Sequence, residues 1–584
     1  MFGRVLKIES KEVFVENTTK QIQSNLIGYH VVFDGQTRLI GEIIYVDVNY
    51  FQIRLIGEIY QNKLLPGFNK FPTINSICRI ITKPELELIL GNQDIQNQDN
   101  LLIGKSSVYD NFNVTVNVND FFSNHFSIIG NTGSGKSCGV ARLIQNLFSN
   151  NKKMPENSHF IIFDAYGEYK SALQKINQSQ NINIVNYTTS TASISDSNLL
   201  TIPIYFLEVD DLAILLNIND SSLLPVLEKT LRYVYIFNGN DEMCKKYKND
   251  ILAKSLIELL SSGRTSQQVR DQIIAVLSDY NTDEINLNTT IYQPGYERTL
   301  KQCLNIDAQG KMPAIDLVIE FLKKFSELNV DQIEVKPIKY NLDDLYYALE
   351  FALISEGTLN NSVAYEKLSQ LKIRLHAIIN SDRKKYFETN EFQTKDEYIK
   401  GLFSIGTGNA AQIVNVNFNY IDDRFAKSMV KILCKLLYNY STTLQNRGSF
   451  PINILIEEAH RYVNKDSDIE IIGYNIFERI AKEGRKYGVL LGLITQRISE
   501  LSPMILSQCS NFIIFRIYYP DDIKMIESMV PNITKDLINR VKTLYPGSAL
   551  LFGNAFKIPL IVNLEIPDPM PTSTNVNLAN IWYK

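Results

Sequence analysis

Residues 130–137 constrain the fold of this 584-residue chain more than any other segment. Their sequence, GNTGSGKS, matches the phosphate-binding pattern GxxxxGK[ST] in full. Residues 126–129 before the motif are typical of a buried strand, and apolar side chains recur at helical spacing over residues 140–147 after it. Because this motif works where a strand passes into a helix, it predicts a parallel α/β sheet.

The residue types of the motif indicate phosphate binding. Glycines let the backbone N–H groups wrap around a phosphate, and the following helix adds a positive N-terminal dipole. Lys136 is expected to reach the β- and γ-phosphates of ATP, and the Ser137 hydroxyl is expected to bind Mg²⁺. The predicted nucleotide-binding residues are Gly130, Asn131, Thr132, Gly133, Ser134, Gly135, Lys136 and Ser137.

A second signal is the apolar strand predicted at residues 452–456, which is followed by Glu457 and Glu458. An ATPase site needs one acid near the metal and a second acid that activates the attacking water. We assign the Mg²⁺ role, which Asp usually fills, to Glu457, and the general-base role to Glu458. Two acids after a strand are also common at a solvated strand end, but the phosphate-binding motif favours the catalytic interpretation.

A competing acid, Asp164, ends another apolar strand that begins near residue 159. The chain continues as AYGEY, so Glu168 follows shortly after. Asp164 is a candidate to assist Mg²⁺ or the attacking water. Glu168 is a candidate either for a place near the nucleotide or for capping the next helix, and the sequence leaves both alternatives open.

The third signal surrounds the strand predicted at residues 489–495. The helix predicted before this strand presents Arg485, which is placed to deliver a guanidinium to the γ-phosphate of an adjacent subunit. Gln496 follows at the carboxyl end of the strand, where open α/β sheets bind ligands, and is a candidate γ-phosphate sensor. The alternative is an ordinary exposed helix with opposite charges four residues apart. Arg485 has no such partner four residues earlier, which favours the functional interpretation.

The rest of the pattern predicts an α/β chain with a RecA-like P-loop ATPase core, a small N-terminal β-barrel and a helical insertion. Further strands are predicted at residues 413–418 and 511–517. The predicted segments are the barrel (1–95), the first part of the core (101–204), the helical insertion (205–400), the second part of the core (401–566) and a C-terminal arm (567–584).

Composition narrows the class of protein further. The six cysteines form no CxxC pair, which argues against a zinc site or a disulfide framework. No apolar run is long enough to span a bilayer, so we expect a cytoplasmic protein without a membrane partner. A net charge of −4 gives no global attraction to nucleic acid, so any DNA must bind through a local basic surface.

Together these motifs resemble the HerA family, within the HerA and FtsK superfamily of P-loop motors. The resemblance covers most of the chain, although residues 205–400 match by position rather than by motif. The motifs that carry it are GNTGSGKS at 130–137, FDAYGEY at 163–169, ILIEEAH at 454–460, EGRKYGVLLGLITQR at 483–497, the PG turn at 546–547 and RLIGEI at 38–43.

The resemblance implies a homohexameric ring that hydrolyses ATP at subunit interfaces and threads DNA through its central pore. In that scheme Arg485 acts in trans as an arginine finger. It also implies a partner, either a NurA-like nuclease in DNA end processing or an effector such as a sirtuin-like NADase or a nuclease in antiphage defence. The alternative function is a nucleotide-gated ring scaffold that assembles and regulates such an effector with little translocation. A protein-remodelling AAA+ ATPase fits the strand order and motifs less well.

Overall fold

The computed structural model divides the chain into two compact units. The first contains Met1–Asn198, Asp396–Asp466 and Asn475–Lys584, and the second contains Leu199–Lys395 and Ser467–Tyr474. The structure describes residues 3–18, 26–74, 76–110, 112–148, 154–179, 182–192, 196–239, 241–293, 295–326, 338–357, 362–389, 391–405, 409–465, 467–529, 535–572 and 578–582. Residues 573–577 and 583–584 of the predicted C-terminal arm lie outside the described residues. The five predicted segments remain our proposal for the domain boundaries.

A small antiparallel barrel opens the first unit. Its strands are β1 (Gly3–Glu9), β2 (Glu12–Glu16), β3 (His30–Asp34), β4 (Arg38–Val46), β5 (Tyr50–Tyr60), β6 (Lys63–Pro66) and β7 (Ile77–Ile80). Strands pair in the order β2-β1-β7-β3-β4-β5, and β5 pairs back with β2, so six strands close the barrel. Alternate residues point inward, and β5 shows a strictly alternating burial pattern with Phe51 and Ile53 in the core.

A large sheet of mainly parallel strands lies at the centre of the fold that carries the phosphate-binding motif. The remaining strands of the chain are β8 (Asn100–Ser106), β9 (Asn113–Asn117), β10 (His125–Ile129), β11 (His159–Asp164), β12 (Ile184–Thr188), β13 (Asn198–Leu199), β14 (Thr290–Gln293), β15 (Tyr296–Thr299), β16 (Ser404–Ile405), β17 (Asn409–Ala410), β18 (Ile413–Asn417), β19 (Ile452–Ile456), β20 (Val489–Thr495), β21 (Cys509–Ile514), β22 (Ser548–Gly553) and β23 (Leu560–Asn563). The sheet order is β13-β12-β18-β11-β19-β20-β10-β21-β22-β23-β8-β9, and the pairings from β12 to β21 are parallel.

This strand order places the predicted site residues other than Arg485 along one edge of the sheet. Parallel strands end at the same edge, so the carboxyl ends of β10, β11, β19 and β20 lie side by side. Strand β20 lies between the strand that carries the phosphate-binding motif and the strand that carries the paired glutamates. The strand predicted at residues 511–517 is observed as β21, which begins earlier because Cys509 pairs with His125 and ends earlier, at Ile514.

The α-helices are α1 (Lys83–Leu90), α2 (Val118–Phe122), α3 (Lys136–Phe148), α4 (Tyr169–Ser179), α5 (Val209–Leu215), α6 (Leu224–Asn238), α7 (Glu242–Leu260), α8 (Ser266–Asp279), α9 (Leu300–Cys303), α10 (Ile315–Lys323), α11 (Leu342–Gly357), α12 (Ser362–Ile379), α13 (Lys395–Leu402), α14 (Asp423–Thr443), α15 (Asp468–Ile472), α16 (Ile476–Glu483), α17 (Pro503–Gln508), α18 (Pro520–Met529), α19 (Lys535–Lys542) and α20 (Leu578–Trp582). Among the described residues, we find no helix with the length and hydropathy of a membrane span.

The second unit is mainly helical and contains α5 to α12 and α15. Aromatic side chains fill much of its interior: the ring of Phe351 lies 5.2 Å from that of Phe237 and 4.9 Å from that of Tyr280. Edge-on and tilted ring pairs of this kind add stability beyond the area that they bury. The predicted fold, a P-loop core with an N-terminal barrel and a helical insertion, is confirmed.

Candidate nucleotide-binding site

The phosphate-binding motif lies at the carboxyl end of β10 and passes into α3, which begins at Lys136. The Gly130 N–H donates to Thr495 O at 3.1 Å, which ties the start of the loop to the end of β20. Gly133 and Gly135 have φ angles of 72° and 100°, which favour glycine. The first N–H groups of a helix have no intrahelical acceptor, so the start of α3 supplies donors for an anion.

Lys136 and Glu458 form a buried ion pair across the site. The Lys136 Nζ lies 3.0 Å from the Glu458 Oε1, and the two side chains are 6% and 3% exposed. Gln496 Nε2 donates to the same oxygen at 2.6 Å, and Gln496 Oε1 accepts a hydrogen bond from Thr132 Oγ1 at 2.7 Å. One network therefore joins the phosphate loop to residues that follow β19 and β20.

Glu458 has an unusual backbone conformation. Its φ of 48° and ψ of 46° lie in the left-handed region, which costs a non-glycine residue about 1–3 kcal/mol. Residues held in this region cluster at functional sites, where the surrounding structure maintains the strain. The strain thus falls on the residue that we predicted as the general base.

Asp164 organises the loop that follows β11. Its Oδ1 accepts hydrogen bonds from the N–H groups of Gly167 (2.8 Å) and Glu168 (3.0 Å), and its Oδ2 accepts one from Tyr169 (3.0 Å). These bonds leave Asp164 with a clear positioning role at the start of α4. Burial raises the pKa of this carboxyl, and the three backbone donors oppose that rise.

Glu457 lies beside Asp164 and is 1% exposed. Burial raises the pKa of Glu457 well above its usual range, the neighbouring Asp164 carboxylate raises it further, and Lys136 lowers it. Among the described residues, the Glu457 Oε2 has no hydrogen-bond partner. A buried carboxylate surrounded by like charge is the environment that a bound cation would stabilise.

Ser137 and Glu168 meet at the start of α3. The Ser137 hydroxyl hydrogen-bonds the Glu168 carboxylate, which lowers the pKa of Glu168, although burial has the larger effect and the net shift is upward. Of the two alternatives left open by the sequence, this contact places Glu168 beside the phosphate loop. The nearby Asp164 carboxylate also raises the pKa of Glu168.

These residues fit a bound magnesium nucleotide. The Ser134 hydroxyl is buried and has no hydrogen-bond partner among the described residues, as expected of a group aimed at a phosphate. A Cβ atom on Gly135 would lie 2.7 Å from Gly547 N, so the loop approaches its neighbours as closely as glycine allows. Ser137 and Glu457 provide the oxygen ligands that Mg²⁺ prefers.

Arg485 is not brought together with the other predicted site residues. The predicted helix is interrupted: α16 ends at Glu483, and Arg485 lies in a 3₁₀ turn (Gly484–Tyr487) with an exposed side chain. This turn precedes the amino end of β20, whereas Gln496 follows its carboxyl end. Seven strand residues separate the two ends by roughly 20 Å. Arg485 therefore lies far from the phosphate loop of its own chain.

Sequence reasoning missed two contributors to the site. Tyr169 donates its hydroxyl to Glu457 Oε1 at 3.4 Å, and its backbone N–H contributes to the Asp164 cap. Gly547 donates its N–H to Ser134 O at 2.9 Å and so supports the phosphate loop. Both residues belong to short motifs that carry the family resemblance. Tyrosine and glycine carry no charge, so neither stood out as a chemical group.

Gly135→Ala is expected to weaken ATP binding at least tenfold more than Gly133→Ala. Both positions have positive φ angles, so each alanine is strained by about 1–2 kcal/mol. Only at Gly135 would the new Cβ also meet backbone, at 2.7 Å from Gly547 N, whereas nothing lies within 4 Å at Gly133. Calorimetric titration of ATP into folded variants measures the difference. Equal affinities would contradict the tight packing of this loop.

The chain is similar to known proteins along most of its length. The model of the family "Helicase HerA, central domain" matches residues 101–318. A probable DNA double-strand break repair helicase HerA from Methanocaldococcus jannaschii is 24% identical over 600 aligned positions, which cover 99% of this chain and 98% of the relative. The DNA double-strand break repair helicase HerA of Pyrococcus furiosus is 23% identical over 88% of this chain and 76% of the relative.

Two solved structures align with the chain at low sequence identity. VirB4 of Thermoanaerobacter pseudethanolicus gives a TM-score of 0.41 at 12% identity, over 80% of this chain and 97% of that one. The plasmid coupling protein TrwB, in complex with the non-hydrolysable ATP analogue ADPNP, gives 0.40 at 11% identity, over 84% and 93% of the two chains.

A phosphate loop between a central parallel strand and a helix, with paired acids two strands away, defines the class of P-loop ATPases. Within this class, the match to the HerA central domain and the similarity to relatives along most of the chain point to HerA helicases. The chain is a P-loop ATPase that is similar to HerA helicases along most of its length.

Proposed function

We propose that this protein is an ATP-driven DNA translocase or helicase. The hydrogen-bonded network of Lys136, Glu458, Gln496 and Thr132 carries the proposal, because it links phosphate-binding groups to a predicted base and a predicted sensor. DNA is the proposed substrate because relatives that align along most of the chain are named DNA double-strand break repair helicases. The same names support a role in DNA end processing, and we propose that the protein acts in the cytoplasm.

The proposed chemistry assigns one task to each side chain. Ser137 and Glu457 would hold Mg²⁺, which offsets phosphate charge when it is bound. Glu458 accepts the proton of the attacking water, and Lys136 neutralises negative charge next to it. Gln496 donates to Glu458 and accepts from Thr132, so it is placed to report the state of the phosphate loop to the end of β20.

Arg485 completes the proposed site from a second copy. Its exposed turn lies at the opposite edge of the sheet from the phosphate loop, so its guanidinium serves the γ-phosphate of a neighbour. Repetition of one such head-to-tail contact generates a ring when the rotation closes. We propose a homohexamer around a central DNA pore, with a NurA-like nuclease or an antiphage effector such as an NADase as its partner.

Linear duplex DNA is expected to stimulate ATP hydrolysis by the purified protein severalfold. The reason is that a translocase couples phosphate release to movement along its track, so turnover rises when the track is present. Steady-state phosphate release with and without DNA measures the effect, and Lys136→Ala is the control that abolishes turnover in both conditions. Turnover that is unchanged by DNA would reject a stand-alone translocase. It would favour instead a nucleotide-gated scaffold that assembles and regulates an effector.

A further inference from the structure

The phosphate loop has two chemically different flanks. On the side of β20, Thr132 Oγ1 donates to Gln496 Oε1 at 2.7 Å. On the other side the loop packs against the turn before β22, where Gly547 N–H donates to Ser134 O at 2.9 Å. The strand order explains the division, because β20 lies on one side of β10 whereas β21 and β22 lie on the other.

The difference between the two flanks determines which end of a bound nucleotide lies on which side of the phosphate loop. The groups that act on a terminal phosphate, Lys136 and Glu458, belong to the β20 flank. A nucleoside triphosphate is an elongated molecule with its base at the end opposite the γ-phosphate. With its γ-phosphate on the β20 flank, its base is directed toward the loops that border β21 and β22.

Tyr545 presents an open aromatic ring on that second flank. It is 82% exposed, more than the other exposed large hydrophobic side chains among the described residues. It lies two residues before Gly547, so its Cα is within about 8 Å of the Gly547 Cα. No ring or cation contact is made by Tyr545 in the part of the chain that the structure describes.

Two nearby tyrosines differ from Tyr545 because a guanidinium already lies over each ring. Arg516 lies 5.4 Å from the ring centroid of Tyr518, and Arg497 lies 4.5 Å from that of Tyr519. Each guanidinium covers a face of the tyrosine ring on which a nucleotide base would have to stack. Tyr545 is therefore the tyrosine of this flank whose ring is free to accept a flat partner.

We propose that Tyr545 is the stacking platform for the base of the nucleotide held by the phosphate loop. The proposal rests on the proposed ATPase site and adds the residue that holds the nucleoside end. Stacking on an aromatic side chain requires only the flat face of a base, so the phenol hydroxyl is dispensable. The turn at Pro546 and Gly547 then has two tasks, since it supports the loop and carries the platform.

The test compares two probes that share the phosphates: ATP and inorganic tripolyphosphate, each with Mg²⁺, titrated calorimetrically into the full-length protein. Tyr545→Ala is expected to weaken ATP binding about 5- to 100-fold and to leave tripolyphosphate binding unchanged. Tyr545→Phe should bind both probes as the wild type does. Tyr292→Ala, which alters a 72%-exposed tyrosine of the second unit, is the matched control and should change neither affinity.

Lys136→Ala separates failure of the platform from failure of the site. Lys136→Ala should weaken the binding of both ATP and tripolyphosphate. If it does not, the nucleotide site itself is rejected, and the stacking platform with it. A second outcome is that Lys136→Ala behaves as expected but Tyr545→Ala weakens the binding of ATP and of tripolyphosphate equally. That result would mean that Tyr545 only supports the phosphate loop, and it would overturn the proposal. Unchanged ATP binding in Tyr545→Ala would overturn it as well.

Discussion

Arg485→Ala is expected to lower kcat for ATP hydrolysis by about 10³–10⁵-fold, the usual contribution of an arginine finger. Affinity for ATP should remain near that of the wild type, because the side chain lies at the far edge of the sheet from the phosphate loop of its own chain. Steady-state turnover together with calorimetric binding separates the two effects.

Lys486→Ala is the matched control for this prediction. Lys486 lies in the same 3₁₀ turn as Arg485 and is also exposed and basic. Loss of a nonspecific positive charge would affect both variants equally, whereas an arginine finger requires Arg485 alone. Turnover in Arg485→Ala within tenfold of the wild type would remove Arg485 from the site.

Glu458→Gln is expected to lower kcat by about 10²–10⁴-fold, the range for a general base. The amide keeps the size of the side chain and can still accept hydrogen bonds from Lys136 and Gln496, but it takes no proton from water. ATP should therefore bind at least as well as in the wild type, because Lys136 is no longer held by a buried negative charge. Rapid-quench turnover and equilibrium binding measure the two quantities.

Glu500→Gln provides the control for the loss of a carboxylate near the site. Burial lowers the pKa of His460, which lies two residues after Glu458, and the charge of the nearby Glu500 opposes that shift. Glu500 itself is exposed and belongs to a separate 3₁₀ turn. Its replacement should leave kcat within about twofold of the wild type, as expected of an exposed charge. A Glu458→Gln protein that kept most of its activity would move the general base to another carboxylate, and Asp164, the other predicted candidate to assist the attacking water, would be tested next.

The sequence predicted those site residues that lie within short, continuous motifs. The motif at residues 130–137 and the acids after residue 456 are local patterns, and their strand–loop–helix setting places them at one edge of a parallel sheet. The approach of Glu458 to Lys136 follows from β19 lying two strands from β10. Strand order is a tertiary property that local periodicity does not encode.

The details that the sequence could not predict depend on contacts between distant segments. Asp164 remains a candidate to assist Mg²⁺ or the attacking water, but no sequence pattern indicated that both of its oxygens also accept hydrogen bonds from backbone N–H groups. The support of the phosphate loop by Gly547 joins residues more than 400 positions apart. The left-handed conformation of Glu458 is likewise invisible in a strand pattern, since glutamate rarely adopts it.

The central claim is that each ATP site is shared between two copies of the chain. The most direct test is ATP hydrolysis by rings co-assembled from equal amounts of Glu458→Gln and Arg485→Ala subunits, each inactive alone. Random assembly pairs an intact Glu458 with a neighbour's intact Arg485 at about a quarter of the interfaces, so a comparable fraction of wild-type turnover should return. Mixed rings no more active than the parent variants would contradict the claim, because they would show that both residues serve the same chain's site.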